Sequence, residues 1–312
     1  MTTAVVFAYH DVGVRCLSVL LAHGVEVKLV VTHRDNPNET IWFASVEKLA
    51  REHGIEVALP RDPNEPDFVE RVRALAPEFL FSFYYRQMLS PMLLACATRG
   101  ACNMHGSLLP KYRGRVPVNW AILHGESETG ATLHEMVEKP DAGRIIDSEA
   151  VPIGKNHIAS EVFARVTGAA EAILVRALPR LAAGTAEFTE QDLTKGGYFG
   201  GRSPEDGRID WTKGAWDVHN LIRAVAPPYP GAFTGLDGQK IGVLGSWWDE
   251  PPSDLPPSGG PGSVAVAGGR CYVRCGDGRW LQVTAIEVPA AGKLQGAALA
   301  AYFAGRGARM GQ

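Results

Sequence analysis

Apolar positions in the first 190 residues fall into two alternating kinds of segment. Residues 4–9 form an unbroken apolar run, the pattern of a strand buried on both faces. Residues 15–23 space their apolar side chains as one face of a helix and stop at Gly24, a residue suited to a helix C-terminus. The alternation continues with strand patterns at 25–32, 55–59, 79–83 and 101–105, and helix patterns at 46–53, 68–75 and 91–98. Strands separated by helices require crossover connections. The pattern therefore predicts an α/β fold with a doubly wound, mostly parallel sheet covered on both sides. Two further strands, 129–137 and 144–153, flank the turn Lys139-Pro140-Asp141-Ala142-Gly143, and a long helix from 160 to 183 stops at Gly184.

The texture then changes. The Gly-rich stretch Lys195-Gly196-Gly197-Tyr198-Phe199-Gly200-Gly201-Arg202 marks a linker at 191–206, between a first domain at 1–190 and a second at 207–305. One helix pattern at 215–226 precedes short strand patterns near 232–236, 240–246, 262–267, 270–275 and 280–288, which predict a small OB-like β-barrel. A Pro/Ser/Gly-rich insert at 251–262 is expected to be mobile.

A length of 312 residues agrees with two domains, and 46% hydrophobic with 21% charged residues excludes disordered, collagenous and coiled-coil classes. Acidic residues outnumber basic ones, 34 to 31, which disfavours bulk nucleic-acid binding. No stretch approaches the roughly 18 apolar residues of a membrane span. Met1-Thr2-Thr3 runs into the first strand without a basic segment, so the expectation is a cytoplasmic chain with no membrane insertion. Five cysteines, an odd number, fit reduced thiols, and Cys271 and Cys275 lack the further ligands of a closed zinc site; no metal is expected.

Familiar nucleotide and nucleophile motifs are missing. The turn after the first strand reads Tyr9-His10-Asp11-Val12-Gly13, with no Gly-x-Gly-x-x-Gly, and no Walker loop or Gly-x-Ser-x-Gly elbow occurs, so Ser107 is a poor nucleophile candidate. The informative strand is 101–105, where Asn103 and His105 share one face and lie at its carboxyl end. Open α/β sheets bind ligands at that rim. There an amide can hold an oxyanion and an imidazole can move a proton, although a buried Asn–His pair satisfied by backbone would read the same way. Asp141 occupies a sharp turn completed by Gly143. Near an imidazole its carboxylate would raise the ring's pKa, so the expectation is a protonated His105; spacing alone does not join the two.

Together the motifs Asn103-x-His105-Gly106-Ser107-Leu108-Leu109-Pro110-Lys111-Tyr112-Arg113-Gly114, Asn119-Trp120-Ala121-Ile122, Pro140-Asp141-Ala142-Gly143, Asp210-Trp211 and Asn220-Leu221-Ile222-Arg223-Ala224 resemble the 10-formyltetrahydrofolate-dependent formyltransferases over about residues 1–290. The resemblance implies a catalytic set of Asn103, His105 and Asp141. It implies folate contacts from Gln87, Met88, Leu89, Arg115, Val137, Glu138, Lys139, Pro140 and Asp141, and 10-formyltetrahydrofolate as cosubstrate. Tyr9, His10 and Asp11 are placed at the acceptor pocket. The starts Val5-Val6-Phe7-Ala8-Tyr9-His10-Asp11 and Phe81-Ser82-Phe83-Tyr84-Tyr85-Arg86 are similar to the formyltransferase domain of the bifunctional UDP-4-amino-4-deoxy-L-arabinose enzymes of lipid A modification and polymyxin resistance. That likeness implies small-molecule partners, folate and a nucleotide-linked amino sugar. The alternative branch, methionyl-tRNA formylation, is disfavoured by a segment at 32–42 with one Arg, two acids and no Gly. Residues 206–312 likewise carry ten basic against nine acidic residues, a net of only +1. The sequence leaves open which amino sugar is the acceptor, the oligomeric state, and whether a separate dehydrogenase partner exists.

Overall fold

The computed structural model describes residues 1–37 and 39–311; Asn38, inside the 32–42 segment, and Gln312 lie outside the described residues. The chain divides into two compact units. The first comprises Met1–Pro117, Glu128–Pro152 and Ala164–Gly200, and the second Val118–Ser127, Ile153–Phe163 and Gly201–Gln312.

In the first unit, strands β1 (Thr3–Ala8), β2 (Glu26–Val31), β3 (Val57–Ala58), β4 (Phe79–Phe83) and β5 (Gly100–His105) run parallel in the order β3-β2-β1-β4-β5. A two-residue strand β6 (Arg113–Gly114) follows, and then β7 (Glu128–Glu135) and β8 (Ile145–Pro152) extend the sheet antiparallel beyond β5. Helices α1 (His10–Ala22), α2 (Val46–Glu52), α3 (Pro66–Ala74) and α4 (Pro91–Leu94) are the crossovers. The apolar runs behave as their composition demands. Every residue of β4 is buried, and Phe79, Phe81 and Phe83 stack on one face with ring centroids 5.6 and 5.7 Å apart. The chain winds outward through β2 and β3 and returns to β4. The switch of direction therefore falls between β1 and β4, one strand from the carboxyl end of β5.

Several elements differ from the sequence pattern. Helix α1 starts five residues early because Val12 and Gly13 are already buried, and Gly13 packs so closely on Ala8 and Val46 that a side chain would not fit. Helix α4 is a single turn. A further helix, α5 (Pro117–Leu123), is too short for a periodic signal, and α6 (Ala159–Ala183) is the long helix expected. The Gly-rich stretch is not a bare connector. Its strand β9 (Tyr198–Phe199) pairs in parallel with β6.

The second unit contains α7 (Ala215–Ala224) and strands β10 (Ala232–Leu236), β11 (Gln239–Trp247), β12 (Val264–Ala267), β13 (Arg270–Arg274), β14 (Trp280–Val288) and β15 (Gly292–Gln295) in one antiparallel sheet, followed by α8 (Gly296–Phe303). Helix α8 is apolar on nearly all sides, so it shows little contrast between faces in the sequence. The 251–262 insert, expected to be mobile, is tied down instead. Leu255 packs with Ala267, Tyr272 and Trp280, and the carbonyls of Pro256 and Pro257 accept hydrogen bonds from Trp280 and Arg274.

Helix α7 also buries His219 completely, with its Nε2 donating to the Lys155 carbonyl and its Nδ1 accepting from the Ser246 hydroxyl, both at 2.8 Å. Burial pushes its pKa down to about 4. The unfolded chain, titrating near its ordinary value of about 6.5, binds more protons between these limits, so stability is lost as pH falls from 6.5 towards 4. The expected loss is about 3 kcal/mol. Urea midpoints at pH 7 and pH 4.5 check this: His219→Gln should flatten the pH dependence, and an unchanged slope would contradict it.

Candidate active site

Strand β5 delivers Asn103 and His105 to one face of the sheet, as the two-residue period requires. Strand β7 lies antiparallel beside it in a register that sets His134 opposite Asn103 and Thr132 opposite His105. Opposed residues put their side chains on the same face, so the Asn103 amide nitrogen meets His134 Nε2 at 3.1 Å. Beyond β7 the chain turns back through Asp141. Its Oδ1 stands 3.6 Å from His105 Nδ1 and 3.5 Å from His134 Nε2, and its Oδ2 accepts the Gly114 N–H at 2.8 Å. The three residues expected to act together are brought together, and His134 joins them.

The Asp141 turn is held from several directions. Gln191 Nε2 donates to the Asp141 carbonyl at 3.1 Å and to the Gly143 carbonyl at 2.5 Å. Arg144 grips the Glu135 carboxylate with two hydrogen bonds of 2.7 Å, closing the base of the loop. Gly143 has no room for a side chain, because a Cβ there would overlap the Glu135 carbonyl. Gly106, just after β5, is equally confined by the Tyr84 hydroxyl. Left-handed backbone at non-glycine residues gathers here too: Tyr84 (φ 59°), Tyr112 (φ 55°), Val116 (φ 47°) and Asp141 (φ 51°). Such conformations persist only where the surroundings over-determine them, and they are commonest at functional sites.

The protonation state differs from the expectation. Burial lowers the His105 pKa and outweighs the opposing pull of Asp141 and the Tyr112 carbonyl, so the resting ring is neutral at pH 7. Its tautomer follows from geometry. Nε2 lies 2.8 Å from the Tyr112 carbonyl, which only accepts, so the proton sits on Nε2 and Nδ1 is the bare nitrogen beside Asp141. Burial alone would raise the Asp141 pKa, but the positive charge that the His105 ring can take up, together with the Gly114 N–H, holds it well below the usual carboxylate range. The pair is thus an ionised carboxylate next to a neutral base, ready to stabilise an imidazolium when a proton arrives.

The residues expected at the folate pocket lie in the same unit. Gln87 spends its amide on the Arg61 carbonyl, and Leu89 is buried in the core with Met136 packed against the same cluster. Met88 is exposed and its carbonyl accepts from Asn64. Val137, Glu138 and Lys139 are exposed, Pro140 is half-buried, and Arg115 is exposed with its N–H bonded to the Phe199 carbonyl. At the end of β1, Tyr9 donates its hydroxyl to Asp35 at 2.8 Å under the Arg86 guanidinium, and His10 stacks on Phe43 at 3.9 Å. Burial, aided by Arg86, lowers His10 to about 3 and His33 to about 4, so both rings are neutral. Ser107 gives its hydroxyl to the Lys111 carbonyl, a loop-holding duty.

Sequence reasoning missed His134, the Tyr112 carbonyl, the Gly114 N–H and Gln191. The alternation of Thr132 and His134 was a usable signal for the first, but only with the β5–β7 pairing known. The other contacts leave no trace in residue type or spacing.

A carboxylate, a neutral imidazole and an amide donor converging at the rim of a doubly wound sheet fit a group-transfer enzyme of the α/β class. The chain belongs to the formyl transferase family: the family model described as formyl transferase matches residues 17–178, and the model of the formyl transferase C-terminal domain matches residues 202–303. It is a formyltransferase. Among solved structures, it is similar to the N-formyltransferase from Helicobacter canadensis in complex with folinic acid and dTDP-3-aminofucose, at 20% identity and a TM-score of 0.72, covering 91% of this chain and 99% of that one. It is also similar to WlaRD, a sugar 3N-formyltransferase solved with dTDP and 5-N-formyl-THF, at 18% identity and a TM-score of 0.69, covering 90% and 97%. HypX from Aquifex aeolicus matches 98% of this chain over 48% of its own length, at 20% identity and a TM-score of 0.63. Among the described residues, no helix is long and apolar enough to cross a membrane, and no group of three or more His, Cys, Asp or Glu is arranged to hold a metal ion.

A first test concerns the frame of the site. Gln191→Ala removes both ties to the Asp141 turn, and loosening that geometry is expected to lower kcat about tenfold with little change in melting temperature. Steady-state assay of tetrahydrofolate release checks it; full activity would mean that the turn is fixed without Gln191.

Proposed function

We propose that this chain transfers the formyl group of 10-formyltetrahydrofolate to the amine of a nucleotide-linked amino sugar, with Asn103, His105 and Asp141 as the catalytic residues. The observation that carries this reading is the convergence of half-buried Asn103 and Asp141 with buried His105 at the end of β5, with the bare His105 nitrogen next to an ionised carboxylate. The neutral sugar amine attacks the formyl carbon, forming a C–N bond and a tetrahedral oxyanion. Asn103 donates an N–H to that oxygen, and His105 Nδ1 takes the proton the amine loses. Asp141 stabilises the imidazolium, which then delivers its proton to N10 as the C–N10 bond breaks. The products are a formamido sugar and tetrahydrofolate. The main chain of Gln87, Met88 and Leu89, together with Arg115 and Val137 through Asp141, forms the folate side. Tyr9, His10 and Asp11 face the acceptor.

One similar structure is described as an N-formyltransferase in complex with folinic acid and dTDP-3-aminofucose and another as a sugar 3N-formyltransferase with dTDP and 5-N-formyl-THF, which supports the donor and the acceptor class. Within that class, the residues at the ends of the first and fourth strands favour UDP-4-amino-4-deoxy-L-arabinose, whose formylation serves lipid A modification. The test supplies purified chain and 10-formyltetrahydrofolate with UDP- and dTDP-linked amino sugars in parallel with methionyl initiator tRNA. Rapid tetrahydrofolate release with UDP-4-amino-4-deoxy-L-arabinose is expected. Release with a dTDP sugar alone overturns the choice of sugar, and release with the tRNA alone overturns the acceptor class.

A further inference from the structure

His134 is 2% exposed, and its ring contacts are unusually committed for a residue outside the three just discussed. Its Nδ1 lies 2.6 Å from the carbonyl of Glu135. A carbonyl only accepts, so Nδ1 carries a proton. Glu135 is itself clamped through its carboxylate by the Arg144 fork, so this acceptor does not wander. With the proton on Nδ1, the neutral ring offers a lone pair at Nε2. Two groups approach that lone pair, the Asn103 amide nitrogen at 3.1 Å and Asp141 Oδ1 at 3.5 Å. Only the amide can donate to it, and it is also the nearer.

We propose that His134 is a positioning residue that holds the Asn103 amide with its NH₂ group, rather than its carbonyl oxygen, turned into the site. An asparagine amide is nearly symmetric in shape, so packing alone discriminates weakly between its two orientations. Turned the wrong way, Asn103 would present an acceptor to a developing oxyanion and repel it. One N–H of the amide is spent on His134, and the second remains for the formyl oxygen. The Glu135 carbonyl thus fixes the His134 tautomer, the tautomer fixes the amide, and the amide supplies the oxyanion donor. This rests on the formyl-transfer reading above.

Two measurements test it. Nitrogen-15 NMR of the histidine rings at pH 8 should show His134 protonated at Nδ1 and bare at Nε2. A proton on Nε2, alone or in an imidazolium that points to Asp141, would require the Asn103 oxygen to turn inward and overturns the proposal. That result does not depend on any activity. The second is a double-mutant cycle on tetrahydrofolate release. His134→Ala is expected to lower kcat about 10–100-fold with the KM for 10-formyltetrahydrofolate nearly unchanged, yet to add less than about twofold in an Asn103→Ala background. Losses that multiply in the double variant contradict the proposal while leaving formyl transfer intact. A wild-type enzyme that releases no tetrahydrofolate with any acceptor would instead count against the functional reading, and the ring tautomer would still decide the role of His134.

Discussion

His105→Ala is expected to lower kcat by roughly 10²–10⁴, the range for removing a positioned general acid–base group, and to leave the KM for 10-formyltetrahydrofolate within a few-fold. The effect is large because the proposed mechanism gives this ring two duties in one turnover: taking a proton from the attacking amine and giving one to the departing N10. Its tautomer is set by the Tyr112 carbonyl, and its charged form is met by Asp141, so no other side chain in the cluster is arranged to substitute. His105→Gln, which keeps volume and a donor towards Tyr112, separates chemistry from packing and should be nearly as inactive as the alanine variant. Circular dichroism and a thermal melt confirm the fold. Turnover within about threefold of wild type in either variant would remove His105 from the mechanism.

Asn103→Ala follows, with an expected loss of roughly 10²–10³ in kcat, the usual consequence of deleting one oxyanion donor. The informative companion is Asn103→Asp. Aspartate matches asparagine in shape but replaces a donor with a negative charge beside the place where the proposed mechanism forms a second negative charge. It should therefore be at least as slow as alanine. An aspartate variant faster than the alanine variant would show that shape, not hydrogen-bond donation, is what the enzyme needs at 103. Both variants are read by stopped-flow tetrahydrofolate release, with folding checked as above.

The residues differ in how plainly they announced these roles. The sheet of the first unit was legible because strands such as 79–83 are apolar at nearly every position and stop at helix punctuation like Gly24 and Gly54. Helix α5 was hidden by its length of seven residues, α8 by its nearly uniform apolar character, and the β6–β9 pair by having two residues in each strand. In the site, Asn103 and His105 could be assigned to one face from period alone. Their meeting with Asp141, 36 positions further on than His105, depends on an antiparallel hairpin returning along β5, which no local pattern encodes.

The charge of His105 is hidden from the sequence for a different reason. Sequence shows that a carboxylate is available to raise an imidazole's pKa, but not how thoroughly the ring is removed from water, and here burial prevails. A neutral resting imidazole also suits the chemistry better, since a ring already protonated could not accept the amine's proton.

Titration of the His105 ring by NMR tests that central point directly. The account requires an apparent pKa below the ordinary histidine value of about 6.5, and a further fall in Asp141→Asn, where the carboxylate that favours the charged ring is lost. A ring still protonated above pH 7, or one whose titration ignores the loss of Asp141, would contradict it.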